Sequence, residues 1–237
     1  MGCAEGYTTA LVRELFHAQV AGTDLSAQVC RLANNLYGLD TQPSDIHHLP
    51  FGNKAYDVVL CSETIEHVTD YRQAITELLR VTKKTLVITV PHEPLHIVEH
   101  NRSTGVIAGH IHAFDLKSLD YLKEQGYSVV SKKLLSPFIK LFGVLVEAAP
   151  KTVHDNSKFP KWIISTYNSL LPFLQKLLGV RSLALLLHLD GFLCKILGAY
   201  EGIVFTVTKD PSSLKSSGSV SAQTMIHFSI PLYYLKK

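Results

Sequence analysis

Glu63, Glu66 and His67, with His112 further on, bring two carboxylates and two imidazoles into one part of the chain. Residues three and four apart share a helix face, so an E-x-x-E-H run can present its acids and imidazole together. Such groups can take and return a proton near neutral pH, or hold a divalent cation. A second set stands earlier. Gly2-Cys3-Ala4-Glu5-Gly6 is a tight glycine turn, a place where backbone can approach a ligand closely. Asp24, in Gly22-Thr23-Asp24-Leu25-Ser26, can accept hydrogen bonds from both hydroxyls of a ribose. Asp45 with Ile46 can hold an adenine amino group and one ring face, and Cys61 and Ser62 close an apolar run. Taken singly, each has a plainer role: aspartates favour turns, and a lone histidine often braces a helix. The order of the set is what points to a ligand site.

The elements that must position these residues alternate. Apolar runs predict strands over 19–25, 56–61, 85–90, 127–131 and 202–208. Helical spacing is read over 7–15, 26–36, 70–81 and 115–125, the last ending at Gly126, a residue suited to a helix C-cap. Short buried strands between helices predict an α/β fold with a mostly parallel sheet. Residues 137–200 turn leucine-rich and amphipathic, which reads as an inserted helical lid before the last strand at 201–209. A serine-rich segment opens a tail over 210–237, expected to be flexible.

The 237 residues suffice for a sizeable core. A formal charge of +3 and no dense Lys/Arg stripe disfavour nucleic acid as partner. Four scattered cysteines without C-x-x-C spacing disfavour a disulfide framework and suit a reducing, cytoplasmic setting. No leader pattern is read at the start. No apolar run reaches the roughly 20 residues a membrane helix needs; contact of the Leu-rich helices with a membrane surface stays open.

The glycine turn, Asp24, Asp45, the run Leu49-Pro50-Phe51, the strand Tyr56-Asp57-Val58-Val59 and Glu66-His67-Val68 occur in a fixed order. As a set they resemble class I S-adenosylmethionine-dependent methyltransferases, over about residues 2–130, with 202–209 similar to the family's last strand. The resemblance implies a Rossmann-like three-layer sandwich, with 1–136 as the methyltransferase domain. It also places the family's first strand ahead of Met1, so the domain is expected to be truncated at its N-terminus, and it puts Ala4 where the family has a glycine.

By that resemblance Gly2, Cys3, Ala4 and Gly6 line the methionine and ribose portion of S-adenosylmethionine. Asp24 holds the ribose, Leu25 packs on the adenine, Asp45 and Ile46 bind its edge and face, and Cys61 and Ser62 border the sulfonium. His67 and His112, with Glu63 and Glu66, are the candidates for acceptor chemistry. The implied activity is methyl transfer, to oxygen, on a small-molecule, glycan or lipid-linked acceptor. Two alternatives stand beside it. One is a methyltransferase-like binding protein without catalysis. The other is a metal-assisted enzyme, since E-x-x-E-H…H resembles the O-methyltransferases of quinone precursors and small RNA; Glu-His-Val also occurs in the family without metal. A nicotinamide-dependent dehydrogenase is disfavoured because the turn is G-x-x-x-G rather than G-x-G-x-x-G.

Overall fold

A computed structural model describes residues 1–105, 109–134 and 200–214, together with Phe192 and Ile196. Its first helix, α1 (Tyr7–Phe16), starts behind Gly6, whose φ is 89°. A Cβ there would come within 2.7 Å of Ala33 Cβ and Leu39 Cδ1, so both the turn and the packing require glycine. β1 (Gly22–Asp24) follows, then α2 (Ala27–Tyr37), where the Ser26 hydroxyl accepts the N–H of Val29. That bond replaces a partner which the first helical turn cannot supply. β2 (Thr41–Pro43) pairs with β1 in parallel, Gly22 opposite Thr41.

The larger sheet is built from β3 (Tyr56–Ser62), β4 (Thr82–Pro91), β5 (Ser128–Leu134) and β6 (Gly202–Thr208), in the order β3-β4-β6-β5. β3 and β4 are parallel, and β6 enters between β4 and β5 antiparallel to both. The expected α/β architecture therefore holds, with one reversed strand in this sheet. Between β3 and β4 lies α3 (Tyr71–Val81), started by Asp70, whose side chain accepts the N–H groups of Arg72 and Gln73. α3 buries Ala74, Ile75, Leu78 and Val81, the i, i+1, i+4, i+7 spacing that makes one stripe on a helix. They share a core with Leu86, Ile88 and Val90 of β4 and with Ile203, Phe205 and Val207 of β6. Each large side chain in it contributes about 1.5–3 kcal/mol relative to exposure.

Two readings are corrected, and two elements are added. The strand over 19–25 shortens to Gly22–Asp24. The helix over 115–125 contracts to a single turn, α5 (Tyr121–Glu124). The Asp115 carboxylate accepts the Lys117 N–H and the Ser118 hydroxyl, a local alternative to helical bonding. α4 (Leu95–Thr104) and β2 were not expected. The leucine-rich lid over 137–200 and the tail beyond the one-turn 3-10 helix Pro211–Leu214 fall, but for Phe192, Ile196 and Tyr200, outside the described residues.

β1 and β3 each keep one edge that no described strand pairs with. Residues 1–3 run between those edges. The Met1 amino group donates to Leu60 O at 2.7 Å, and Cys3 N–H donates to Thr23 O at 3.0 Å.

Candidate functional site

The glycine turn is held from two sides. Gly6 N–H donates to Cys3 O at 2.8 Å, which closes the turn on itself. Ala4 N–H donates to Asp24 Oδ2 at 3.0 Å, while Ser26 N–H donates to Asp24 Oδ1 at 3.0 Å. One carboxylate thus ties the turn to the end of β1 and the approach to α2, the carboxyl-end position where open α/β sheets bind ligands. Gly2 has φ 65°, and a Cβ on it would lie 2.0 Å from Thr64 Oγ1, so the turn also presses on the loop after β3. Ala4 (φ 44°) and Glu63 (φ 47°) are left-handed without being glycine. Such conformations cost on the order of 1–3 kcal/mol and cluster at ligand sites.

A groove of about 930 Å³ runs beside this turn, bordered by Gly2, Ala4, Thr23, Val58, Leu60 and Ser62 among others. Cys3 and Glu63 also line it. Gly6, Asp24, Leu25, Asp45, Ile46 and Cys61 do not. Leu25 stands 76% exposed directly after Asp24, an apolar side chain left open at the strand end. Asp45 Oδ1 accepts both the His47 N–H (2.9 Å) and its ring Nδ1–H (2.8 Å), which hold the carboxyl below its usual range. Ile46 packs in the core and Cys61 is fully enclosed in it, burial pushing that thiol up to about 11. Ser62 shares a hydroxyl–hydroxyl bond of 2.8 Å with Thr89.

The loop carrying Leu49, Pro50 and Phe51 is fixed by a pair that the sequence reading passed over. Arg80 donates to Phe51 O (2.8 Å), Leu49 O (3.1 Å) and Asn53 Oδ1 (2.9 Å), and Glu77 Oε1 accepts Leu49 N–H at 2.7 Å. Glu77 and Arg80 are themselves bonded at 2.7 Å. The i, i+3 spacing of an acid and a base was the available signal.

The second set gathers at the carboxyl ends of β3 and β4. Glu66 is fully buried, and neither carboxylate oxygen has a hydrogen-bond partner. Burial first, with the charges of Glu63 and Glu93 adding, pushes its carboxyl up to about 8 against the pull of the nearby Glu66 and Thr64 backbone N–H groups. His67 Nε2 lies 3.8 Å from Glu66 Oε1, and its Nδ1 faces Gly109 O at 3.3 Å. His110 packs on His67 with ring centroids 4.8 Å apart, and its Nδ1 lies 2.9 Å from Glu93 Oε2. His112 Nε2 is 2.7 Å from Val68 O, so the proton sits on Nε2 and Nδ1 is the acceptor. Of the four residues expected together, Glu66 and His67 meet. Glu63 is exposed and His112 is engaged elsewhere, while His110 and Glu93 join instead.

Residues 1–88 match the family model described as a methyltransferase domain. The chain carries a methyltransferase domain. Related sequences include the O-methyltransferase cnsE of Penicillium expansum, 29% identical over 35% of this chain and 33% of that one. Also similar is the malonyl-[acyl-carrier protein] O-methyltransferase of Erwinia billingiae, 32% identical over 40% of this chain and 39% of that one. Norajmaline N-methyltransferase of Rauvolfia serpentina is 33% identical over 34% and 30%. The chain thus matches well under half the length of these curated relatives.

Among solved structures, the complex of the Haloferax volcanii Trm112 methyltransferase activator with a methyltransferase superposes with TM-score 0.54 at 15% identity, over 88% of this chain and 80% of that one. Phosphoethanolamine N-methyltransferase 2 of Haemonchus contortus, bound to S-adenosylmethionine, gives 0.54 at 13%, over 88% and 47%. The [4+2]-cyclase SpnF gives 0.52 at 17%, over 88% and 73%. The methyltransferase domain has the Rossmann-like fold of the class I enzymes. That a cyclase shares this fold shows that architecture alone does not name a reaction.

Proposed function

We propose that this protein transfers a methyl group from S-adenosylmethionine to an oxygen of a small-molecule, glycan or lipid-linked acceptor. The observation that carries this reading is Asp24, whose carboxylate sits at the end of β1 and binds the left-handed turn through Ala4 N–H. When bound, S-adenosylmethionine supplies an electrophilic methyl on a sulfonium, so the protein's tasks are orientation and removal of the acceptor's proton. Asp24 keeps lone pairs free beyond its two backbone bonds, Leu25 offers an apolar face beside it, and the glycine turn brings backbone close. His67 is the base candidate: with Nδ1 donating to Gly109 O, Nε2 is the open acceptor. His112 supplies Nδ1 in the same way.

Two of the three relatives named above are O-methyltransferases, which supports oxygen as the acceptor atom; the third acts on nitrogen. Among the described residues no helix is long and apolar enough to cross a membrane.

The test is calorimetric titration with S-adenosylhomocysteine. Micromolar binding is expected, with Asp24→Ala weakening it at least tenfold. Absence of binding by the folded protein, or an affinity that ignores Asp24→Ala, would overturn the assignment. Binding without turnover on any hydroxyl acceptor would favour a non-catalytic binding protein.

A further inference from the structure

Two aspartates stand at the ends of neighbouring strands, and each divides its oxygens differently. β1 and β2 are parallel with Asp24 opposite Pro43, and Ser44 N–H donates to Asp24 O at 2.8 Å. Asp45 therefore follows β2 at the same end at which Asp24 closes β1. Asp24 accepts one bond on each oxygen, from Ala4 N–H on Oδ2 and from Ser26 N–H on Oδ1. A lone pair stays open on both, which suits two donors side by side. Asp45 is the opposite case. Its Oδ1 takes both the backbone N–H and the ring Nδ1–H of His47, at 2.9 and 2.8 Å. Those two bonds occupy that oxygen's lone pairs. Oδ2 has no partner among the described residues, and the side chain is 54% exposed.

The imidazole is what fixes this division. Its side chain is only 16% exposed, and Nε2 is buried without a hydrogen-bond partner among the described residues. Turned over, the ring would point carbon at the carboxylate and lose the 2.8 Å bond, with no bond elsewhere to offset it. The backbone N–H alone would not set the carboxylate plane, because rotation about χ2 of an aspartate is soft. A second bond, from a packed ring, sets it.

We infer that His47 is a positioning residue that makes Asp45 a one-oxygen acceptor, so that the nucleobase site takes a purine with an amino group at C6 and rejects a 6-oxo purine. The inference rests on the proposed binding of S-adenosylmethionine and adds a selection to it. A C6 amino group donates to Oδ2, whereas a carbonyl there sets oxygen against a carboxylate. A 6-oxo purine carries its nearest donor one atom away, at N1. A carboxylate free to turn can follow that donor; one held by His47 cannot. His47 acts only through Asp45 in this role.

The experiment is calorimetric titration of the full chain and its variants with S-adenosylhomocysteine and with S-inosylhomocysteine, its 6-oxo counterpart. The unmodified chain should prefer the adenine ligand about tenfold or more, a modest ratio because the carboxylate is open to water. His47→Ala should bring the two affinities within about threefold of each other, as the released carboxylate turns to N1–H. His47→Asn, whose amide N–H can stand in for the ring donor, should restore the preference. Asp24→Ala should weaken both ligands alike and leave their ratio unchanged, and His48→Ala, an exposed neighbour, should change neither. Circular dichroism checks that each variant is folded. Binding of S-adenosylhomocysteine without preference, a ratio that survives His47→Ala, or one that His47→Asn fails to restore would overturn the inference. Binding of neither ligand by the folded, unmodified chain would overturn the methyltransferase reading itself, and this inference with it.

Discussion

Arg80 shows how far one side chain can reach. Its guanidinium spans the Glu77 carboxylate and three oxygens of the loop over 49–53, in the fork geometry that a lysine cannot reproduce. Where such groups are shielded from water, hydrogen bonds to a charge contribute about 1.5–3 kcal/mol each net of solvent exchange. The pair is partly exposed, so Arg80→Ala should lower the urea midpoint only modestly through the ion pair, the rest of the loss coming from the released loop. The Arg80 hydrogen bond, above all, holds the Glu77 carboxyl below its usual range. Its stabilisation is therefore complete above the ordinary glutamate pKa and is lost as pH falls through the lower folded value. Melting temperature should drop on acidification below about pH 4.5, and less steeply in Glu77→Gln. An identical acid limb in that variant would remove Glu77 from the account. Both residues were visible in the sequence, but the loop they hold lies about 30 positions away, and helical spacing says nothing about a partner outside the helix.

Elements were legible where burial imposes a period. α3 was read as 70–81 and found at Tyr71–Val81, because Ala74, Ile75, Leu78 and Val81 mark one stripe. Leu78 is fully buried in the core. Leu78→Ala should cost about 2–5 kcal/mol, with the cavity left behind setting the value; a loss under about 1 kcal/mol in chemical denaturation would show that the helix does not carry this core. β2 escaped notice since its three residues include Gln42 and Pro43, both exposed. α4 escaped because only Val98 is buried along it, leaving no stripe to read. The tight turn over 2–6 was legible from its glycines, which the structure places at positive φ. The acid–imidazole cluster was half legible: Glu66 and His67 are neighbours in sequence, whereas His110 and Glu93 reach them through the fold.

At the scale of the whole molecule, the family match ends at residue 88, yet the sheet does not. β6 sits inside it, antiparallel between β4 and β5, and Thr208 donates its hydroxyl to Lys84 O across 124 positions. Ile203, Phe205 and Val207 complete the core that α3 covers. A polypeptide of residues 1–134 should therefore lack a sharp thermal transition, because β4 and β5 have lost the strand that joins them. A cooperative melt from it would show the core to be independent of β6. The reversed strand also sets a clock. A nascent chain leaves the ribosome at roughly 5–20 residues per second, so β4 waits roughly 6 to 23 seconds for its neighbour. Throughout that interval its edge is open to any other strand nearby, and a factor that shields extended backbone during synthesis would raise the yield of native protein more than one that acts after release.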